Sequence, residues 1–456
     1  MENSVLNRRN FIKSSMAIAI VGALPQLILA KQSSTEFDYE LIIAPADVNI
    51  VPGGSTPALS FNGGYPSPVI RAKQHQPVRI RVINQLKEPT TIHWHGLRIP
   101  IDMDGVPFLS QMPIMPGDTF DYEFTPPDAG TFWYHPHMNS IEQLGKGLVG
   151  ALIVEEAEKP DFDADLVLCM KNWHIKDDGS FTALTSPQNA FRMGTPGRIM
   201  TINGEMHPTY DVPAGGAIRI RFLNVDNTLV YDVNSTDPDA QIIAIDGNPI
   251  EQPITLENHL MAPGMRLDLG VMSSKEVGKS ITFKHKNKPL VTLRSVASTA
   301  TFHSLPALPL NPIPEPDLNN AETIKFAFEW NANITPIHKD GKVNYNFWTM
   351  NRRSWEGMSK GNIPAPLAQL ERGKTYLFEL SNLTQYHHPI HIHGHTFTVL
   401  KSNKKAITPF HSDTVLLGKN ETVIAALVAD NPGRWMYHCH IIEHLKTGFM
   451  GYVEVS

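Results

Sequence analysis

One stretch near the end of the chain restricts the folds available to it. Cys439 lies between His438 and His440, and His444 follows within the same short segment. If residues 436–442 form a strand, the two flanking histidines face one side and the cysteine faces the other, because successive side chains of a strand alternate. A cysteine thiolate with two imidazoles is a trigonal ligand set typical of copper, and imidazole alone suits a second transition-metal site. The segment therefore predicts β-structure that contacts two metal sites at once.

Histidines elsewhere in the sequence fall into similar clusters. Of the 20 histidines, ten occupy four clusters, and each cluster contains a His-x-His pair: His93 and His95; His135 and His137; His388, His391 and His393; and His438, His440 and His444. On a strand this spacing places both rings on one face, where they can chelate one metal or bridge two. A buried strand whose histidines only form hydrogen bonds would account for one such pair, but it is a poor account of four. Two clusters near the start and two near the end indicate that the terminal parts of the chain close around a shared site.

Strand parity divides these histidines between the two sites. His391 and His393 share a face, whereas His388 lies an odd number of residues away and faces the other side, unless Pro389 introduces a bulge. We therefore expect His388 and His444 to join Cys439 at one copper. The eight remaining imidazoles can hold three coppers, one with two rings and two with three rings each.

Composition favours an all-β chain of several domains. The 456 residues include 36 prolines and 31 glycines, distributed among short runs of alternating apolar and polar residues. This pattern predicts many turns, short strands and few helices. A net charge of −6 without a basic patch argues against binding to nucleic acid. Cys169 lies in an apolar run and is predicted to be a buried free thiol, so no disulfide framework is expected.

A repeated unit divides the chain. Residues 62–84 and 203–224 share one arrangement, in which Asn-Gly and a proline precede an alternating strand that ends in asparagine, and residues 372–382 carry a weaker third copy. We predict domains at 31–157, 158–303 and 321–456, with a stiff proline-rich linker at 304–320. The middle domain lacks histidine where the first domain has the His93 cluster. We therefore expect it to be a spacer without copper ligands.

The first 30 residues resemble a targeting segment. Arg8 and Arg9 precede an apolar run over residues 16–29, as in a twin-arginine export signal. A membrane anchor is the alternative, but Pro25 interrupts the run, which is shorter than the roughly 20 residues that a membrane span needs. We expect a mature periplasmic protein with no membrane span.

Together, the four histidine clusters resemble the motifs of the multicopper oxidase family, and in particular of its bacterial three-domain, laccase-like members. The resemblance covers nearly all of the chain after the targeting segment. It implies three consecutive cupredoxin-like Greek-key β-barrel domains and four coppers per chain, with the type 1 copper in the third domain. It implies these ligands: Cys439, His388 and His444 for the type 1 copper; His93 and His391 for the type 2 copper; and His95, His135, His137, His393, His438 and His440 for the type 3 pair.

The resemblance also implies a reaction. A donor is oxidised one electron at a time at the type 1 copper, and the electrons pass through Cys439, His438 and His440 to the trinuclear cluster, where dioxygen is reduced to water. Because this reduction consumes protons, Asp104 is a candidate catalytic acid. Its alternative role is that of a turn residue before Gly105. Leu445 stands where many bacterial relatives carry a second acid, so the proton path is incompletely identified.

The axial position of the type 1 copper has two candidates. Many bacterial relatives have methionine at the position of Phe449, and in this chain methionine follows one residue later as Met450. A non-ligating phenylalanine resembles fungal laccases and should raise the copper potential, because no thioether stabilises the cupric form. A one-residue shift that brings Met450 to the copper is the competing interpretation.

The sequence favours an organic electron donor. The 17 methionines form no dense insert of the kind expected of a dedicated cuprous-ion oxidase. We therefore favour laccase-like oxidation of phenols, with cuprous or ferrous oxidation in periplasmic metal homeostasis as the alternative. A copper-free cell-division protein of the same fold is an alternative from another class, but such a protein is expected to lose ligands. The expected partners of this enzyme, a monomer, are dioxygen and a small organic or metal-ion donor.

Overall fold

Strands account for most of the regular structure, and the helices are short. The computed structural model describes residues 37–456 except 301–303, 332–334, 336, 338–339, 342–343, 345 and 356. The predicted targeting segment, residues 1–30, lies outside the described residues. Within them, no helix is long and apolar enough to cross a membrane. The predicted all-β class is confirmed.

The first part of the chain forms two four-stranded sheets. Its elements are β1 (Tyr39–Val48), β2 (Thr56–Phe61), β3 (Ile70–Lys73), β4 (Val78–Asn84), β5 (His93–His95), a 3-10 turn (Ile101–Met103), β6 (Thr119–Phe124), β7 (Gly130–His135), α1 (Ser140–Gly145) and β8 (Gly150–Glu155). One sheet has the order β2-β1-β4-β6 and the other has the order β3-β8-β7-β5. β5 pairs with β7 so that His93 lies opposite His135, which brings the first two histidine clusters together.

The middle part forms a six-stranded and a five-stranded sheet. Its elements are β9 (Ala164–Trp173), α2 (Pro187–Ala190), β10 (Ile199–Ile202), β11 (Thr209–Pro213), β12 (Ala217–Asn224), β13 (Tyr231–Ser235), β14 (Gln241–Ile245), β15 (Asn248–Thr255), β16 (His259–Met261), β17 (Arg266–Met272), β18 (Ser280–His285) and β19 (Lys288–Val296). The sheet orders are β10-β9-β12-β17-β14-β15 and β11-β19-β18-β13-β16.

The last part repeats this plan. Its elements are β20 (Glu322–Trp330), β21 (Trp348–Met350), β22 (Ala368–Leu370), β23 (Thr375–Asn382), β24 (His388–Ile392), β25 (Phe397–Ser402), β26 (Phe410–Ser412), β27 (Thr414–Leu417), β28 (Thr422–Val428), β29 (Gly433–Cys439), α3 (Ile442–Lys446) and β30 (Met450–Val455). The sheet orders are β21-β20-β23-β28-β25-β26 and β22-β30-β29-β24-β27. β24 pairs with β29, so the third and fourth histidine clusters are neighbours.

The repeat seen in the sequence is a repeat of structure. β4, β12 and β23 each pair in parallel with the first strand of their own part, which is β1, β9 or β20. The asparagine that ends each of these strands, Asn84, Asn224 or Asn382, donates its side-chain amide to two backbone carbonyls. The third copy, which is weak in sequence, therefore belongs to the same unit. The domain boundaries themselves stay a prediction.

Apolar contacts hold the three sheet pairs together. Each pair encloses its own core, and a further cluster, which includes Trp133, Leu144, Cys169, Leu223 and Ile442, contains residues from all three parts. Cys169 is buried there as a free thiol, as predicted. Burying a large apolar side chain stabilises the folded chain by roughly 1.5–3 kcal/mol. This interface therefore favours a fixed arrangement of the sheet pairs.

The proline-rich connector is attached to the sheets. Asn311 accepts a hydrogen bond from the Ala129 backbone amide and donates its side-chain amide to the Ala129 and Gly247 carbonyls. Arg98 donates to the Pro312 carbonyl. The connector is thus held against the first and middle parts at Asn311 and Pro312.

Candidate metal centres

The first candidate centre is built entirely by the last sheet pair. His388 begins β24, Cys439 ends β29, and α3 carries His444. The Cys439 Sγ lies 3.8 Å from His388 Nδ1 and 3.5 Å from His444 Nδ1, and the two nitrogens are 3.2 Å apart. The strand predicted over residues 436–442 ends at Cys439, because the chain turns there into α3, which brings His444 back to the cysteine. We call this set of three residues the thiolate site.

Hydrogen bonds on the outer side of the thiolate site orient both rings. His444 Nε2 donates to the Arg192 carbonyl at 2.9 Å. Thr384 Oγ1 donates to Asn382 Oδ1, so it accepts from His388 Nε2 at 2.8 Å. Both Nδ1 atoms are therefore unprotonated and face one another beside a sulfur. Two lone pairs at this distance need a cation between them, so the donor set fits a metal of the copper type.

Phe449, not Met450, faces the thiolate site. The Phe449 ring lies 4.9 Å from the His388 ring and 5.4 Å from the Trp348 ring, measured between centroids. Met450 packs in a different apolar cluster, together with Trp355 and Tyr452. The register that would bring a thioether to the sulfur is therefore absent from this structure.

The second candidate centre lies between the first and last sheet pairs, and we call it the seam. Its eight rings belong to His93, His95, His135, His137, His391, His393, His438 and His440, and all are buried. His137, His393 and His438 offer ligand atoms within 4.8 Å of one another. His95, His135 and His440 form a second trio, with ring centroids 4.9–5.9 Å apart. His93 and His391 lie 5.7 Å apart, and each also stacks at 3.8 Å on a ring of these trios, His93 on His393 and His391 on His95.

Unpartnered nitrogens show that the seam fits metal ions. Buried ring nitrogens without a hydrogen-bond partner include one atom each of His93, His95, His135 and His391, and both atoms of His137 and His440. An unpaired buried polar atom costs about 1–3 kcal/mol, and this number of them in one place indicates that the site binds a ligand. Metal ions would satisfy these atoms. Ligand atoms of the seam rings form several overlapping groups of three, so the seam offers donors for more than one ion.

The ionisation states favour metal binding. Burial lowers the pKa of His444 to about 3 and lowers the pKa of seven seam histidines, with neighbouring imidazoles adding to the effect in most of them. These rings are neutral at pH 7 and can donate a lone pair. Burial raises the pKa of Cys439, so metal binding there has to displace the thiol proton.

Asp104 crosses the seam from the first sheet pair. Its carboxylate oxygens lie 3.0 and 3.1 Å from His393 Nδ1, and its backbone carbonyl lies 2.8 Å from His93 Nδ1. The side chain is buried. Asp104 therefore contacts two predicted ligands, in addition to its position in the turn before Gly105.

Asp413 is the seam residue that the sequence analysis missed. Its Oδ1 lies 3.2 Å from His95 Nε2 and 3.2 Å from His391 Nδ1. Burial alone would raise the pKa of Asp413, but Arg266 and the hydrogen bond from His391 outweigh burial and lower it. The available signal was a run of short polar residues, Ser412-Asp413-Thr414, directly before the apolar end of β27. A carboxylate in that setting is buried and needs a partner.

The middle sheet pair also reaches the seam, which corrects its description as a spacer. Arg266 donates to both carboxylate oxygens of Asp413, at 2.9 and 2.6 Å. Gly264 approaches so closely that a Cβ atom there would lie 2.9 Å from the His440 ring and 3.1 Å from the His95 ring. The middle part contributes no histidine to the eight but packs against the site through these two residues.

The acidic residue of α3 is bound away from the seam. Glu443 is buried, and its carboxylate accepts hydrogen bonds from Thr185 and Thr195 of the middle part. It therefore fixes α3 against residues 185–195. Leu445 packs in the apolar cluster of Val106 and Met450. In the described residues, neither contacts a seam histidine.

A short connection joins the two centres. Cys439 and His438 are adjacent in β29, and His438 Nδ1 donates to the Cys439 carbonyl at 3.0 Å. His438 Nε2 in turn lies 3.1 Å from His393 Nε2. Covalent bonds and one hydrogen bond therefore link the thiol to the seam.

Comparison with known proteins identifies the family. Family models described as multicopper oxidase match residues 43–159 and 328–456. The crystal structure of a multicopper oxidase from Pseudomonas thermotolerans is 46% identical, covers 92% of this chain and 98% of its own, and superposes with a TM-score of 0.86. The multicopper oxidase MmcO of Mycobacterium tuberculosis is 27% identical over 89% of this chain and 85% of its own length. Laccase-1 of Botryotinia fuckeliana is 28% identical over 87% of this chain and 78% of its own length.

These matches confirm the expected cupredoxin-like β domains and the expected cofactor. Copper, at type 1, type 2 and type 3 sites, is the metal for which the histidine clusters are suited. The enzyme is a copper-dependent oxidoreductase, and dioxygen is its electron acceptor. The 46% identity over nearly the whole of both chains, with family models matching both ends, shows that this chain belongs to the multicopper oxidase family.

Proposed function

We propose that this enzyme is a laccase-like oxidase that takes single electrons from phenols or similar organic donors beside His444 and reduces dioxygen to water in the seam. Copper supplies the one-electron redox chemistry at both places. The observation that carries the proposal is the connection from Cys439 through His438 to the seam, because it joins a one-electron site to a site that can hold three metals. The chain itself holds these sites at a fixed separation.

We propose the ligands implied by the sequence. Cys439, His388 and His444 hold one copper, and the His93 and His391 pair holds a second. The remaining six rings hold a pair of coppers, three rings each. The close ligand atoms of His137, His393 and His438 and the neighbouring rings of His95, His135 and His440 support this division. The Phe449 ring, which packs on His388, supports a thiolate site without an axial ligand.

A cavity next to the segment that binds His444 supports an organic donor. The cavity has a volume of about 310 Å³ and is lined mainly by apolar groups, including Pro196, Leu229, Leu260 and Ile441. Pockets for small organic molecules commonly start near 300 Å³ and are mostly apolar. Met193 is the one methionine among its described lining residues. An aromatic ring suits this lining better than a cuprous ion, which prefers several sulfur ligands.

Arg192 and Met193 separate this cavity from the thiolate site. Arg192 accepts the hydrogen bond from His444 Nε2, and the next residue, Met193, lines the cavity. Glu443 holds this segment in place through Thr185 and Thr195. A donor in the cavity therefore lies within one residue of a predicted ligand, while the ligand ring itself stays covered.

Oxygen uptake with a panel of donors tests the proposal. We expect a higher kcat/KM for a substituted phenol than for Cu(I) or Fe(II). The variant Met193→Leu removes the cavity's thioether at similar volume, and it should leave phenol oxidation unchanged. A faster reaction with Cu(I), lost in Met193→Leu, would identify a metal-ion oxidase instead.

Asp104 is the proposed proton donor for dioxygen reduction. It is the carboxylate that contacts seam histidines from the first sheet pair, and it is buried next to His393. A positioned acid contributes typically about 10²–10⁴-fold to such a step. Burial among the reacting groups supports this role over that of a turn residue alone.

We further propose export by the twin-arginine route and a periplasmic monomer. The support is the sequence of residues 1–30, with Arg8 and Arg9 before the apolar run. Replacing both arginines with lysine should retain the protein in the cytoplasm, as measured by cell fractionation. Size-exclusion chromatography with light scattering tests the monomer.

A further inference from the structure

A second cavity lies between the middle and last sheet pairs, and we call it the basic cavity. Its volume is about 470 Å³. The middle part lines it with His259 and Leu260 of β16, and the last part lines it from the β25–β26 loop and from the turn between β27 and β28. Phe410, in its wall, packs against the hydrophobic cores of both parts. The basic cavity is therefore formed by the interface of two units.

The charged groups of the basic cavity are mostly positive. Three lysines from two segments of the last part line it: Lys404, Lys405 and Lys419. Glu421 is the one acidic residue among the described lining residues, and Ser402 Oγ and the Gly418 amide donate to its two carboxylate oxygens at 2.5 and 2.6 Å. Three ammonium groups therefore surround a single carboxylate that already has its own hydrogen bonds, so the cavity attracts an anion and repels a metal ion.

Two histidines of the basic cavity have buried nitrogen atoms without a hydrogen-bond partner in the described part of the chain. These atoms are His259 Nε2 and His387 Nδ1. Burial lowers the pKa of His259 to about 4, and the positive charge of Lys405 adds to this effect, so the lysine lies near the ring. A neutral imidazole carries one N–H group that can donate to an oxygen of a bound anion. Buried polar atoms are normally paired, so an occupant with acceptor oxygens suits this pair of rings.

The rest of the lining is apolar. It includes Val399, Ile407, Val415 and Val423 of the last part. Leu260 of the middle part is 42% exposed, although it is a large apolar side chain. The volume lies within the range of about 300–1,000 Å³ that is common for sites of small organic molecules. An inorganic anion would leave this apolar surface without contacts, so the lining fits an anion with an apolar body.

The basic cavity is separate from the cavity proposed for the donor, which we call the donor cavity. Leu260 and His387 line both of them. Met193 and Ile441 line the donor cavity alone, and the three lysines line the basic cavity alone. The two cavities therefore share a wall but differ in charge.

We propose that the basic cavity is a binding site for organic carboxylates with an apolar body, in which Lys405 and Lys419 bind the carboxylate and the strands of the last part contact the body. The inference goes beyond the proposed function, because the occupant need not be an electron donor. Binding bridges the middle and last parts of the chain. A ligand that binds only the folded chain stabilises it, so the occupant should also raise Tm.

The test is calorimetric titration of the copper-loaded enzyme with trans-cinnamate, an aryl carboxylate that has no phenol group to oxidise. Its neutral amide, cinnamamide, has nearly the same shape and should bind about tenfold more weakly or worse, because it lacks the charge-assisted hydrogen bonds. Lys405→Gln with Lys419→Gln should weaken cinnamate binding about 10- to 100-fold and leave cinnamamide binding unchanged. Both lysines are exposed, so the variant should fold. Lys87→Gln with Lys159→Gln is the matched control, since it removes the same charge from exposed lysines that line neither cavity.

Two further measurements locate the bound carboxylate. Ile407→Trp reduces the free volume of the basic cavity and should weaken binding of both cinnamate and cinnamamide. Oxidation of a neutral phenol should not be competitively inhibited by cinnamate, because the phenol is expected in the donor cavity. Equal affinity of the unmodified enzyme for cinnamate and cinnamamide, or equal affinity for cinnamate in the two double variants, would overturn the inference. Competitive inhibition that persists in the Lys405 and Lys419 variant would place the carboxylate in the donor cavity and would also overturn it.

Discussion

The thiolate site and the seam are assembled in different ways. All three residues of the thiolate site belong to the last sheet pair, on β24, on β29 and on α3. The seam takes half of its rings from the first sheet pair and half from the last, and Arg266 of the middle pair completes it. One centre therefore takes all its ligands from a single unit, with the Arg192 carbonyl of the middle part orienting His444, whereas the other exists only after three units dock.

This difference shows where contacts between side chains are needed to fix the positions of the histidine rings. Within one sheet pair, strand alternation and a tight turn bring Cys439 and His444 together. Across the interface no backbone continuity exists, so buried carboxylates hold rings from different units, although burying an isolated charge is costly unless it is paired. Asp104 and Asp413 each contact a histidine of the opposite unit.

The largest effect is expected from a variant that removes only the thiolate site. Cys439→Ser should abolish the blue band and donor oxidation, while the three seam coppers remain, because the seam does not use the sulfur. Metal analysis and an optical spectrum measure this. Cys169→Ser, which changes a buried thiol remote from the thiolate site, should leave both unchanged. Loss of all four coppers in Cys439→Ser would show that the two centres are not independent.

The next largest effect is expected from a variant that changes only the seam. Asp104→Asn should slow reoxidation of the reduced enzyme by dioxygen by about 10²–10⁴-fold, because it removes a proton donor, and the blue band should persist. Stopped-flow mixing with dioxygen at several pH values is the measurement. Asp102→Asn changes an exposed carboxylate two residues away and serves as control. Equal rates in the two variants would return Asp104 to a turn role.

Lowering the pH should destabilise the copper-free protein through the buried histidines of the seam. Burial lowers the pKa of seven seam histidines below the value of about 6.5 in the unfolded chain. Below pH 6.5 the unfolded chain therefore binds more protons than the folded chain, and the free energy of unfolding decreases as the pH is lowered. Each ring that must stay neutral costs about 1.4 kcal/mol per pH unit there. Calorimetry of the copper-free chain from pH 7.5 to 5 should show a steep fall in Tm.

A double variant distinguishes the contribution of the seam to this pH dependence from the contribution of the rest of the chain. His137→Gln with His440→Gln removes two of these rings and should flatten the dependence of Tm on pH. A Tm that does not change down to pH 5 in the unmodified chain would contradict the expected cost of neutral burial.

The smallest expected effect concerns the thiolate site and its neighbour. Phe449→Met should lower the type 1 potential by on the order of 60 mV, a tenfold change for a one-electron couple, because a thioether stabilises Cu(II). Met450→Leu should leave the potential nearly unchanged, since Met450 packs away from His388. Redox titration of the blue band measures both. A shift in Met450→Leu alone would reverse the assignment of the axial position.

Sequence periodicity was sufficient for much of the fold and for the histidines. The alternation of apolar residues predicted the all-β class, and repeated asparagine-terminated strands predicted a repeated unit that the pairing of β4, β12 and β23 confirms. The parity of His388, His391 and Cys439 followed from the two-residue period of a strand, and β24 keeps a regular register through Pro389. These features depend on local geometry, which neighbouring residues determine.

Only the tertiary structure decided which carboxylate meets which ring. Asp413 lies 147 residues from Arg266, and 318 from His95, so no local pattern could pair them. The middle part looked like a spacer because its strands lack histidine, but docking brings Gly264 and Arg266 against the seam. The sequence by itself determined the ligand types and their strand faces, since these follow from the residue and its period along the chain. The partners of those ligands depended on how the three sheet pairs pack, because long-range burial places residues side by side that have no relation in sequence.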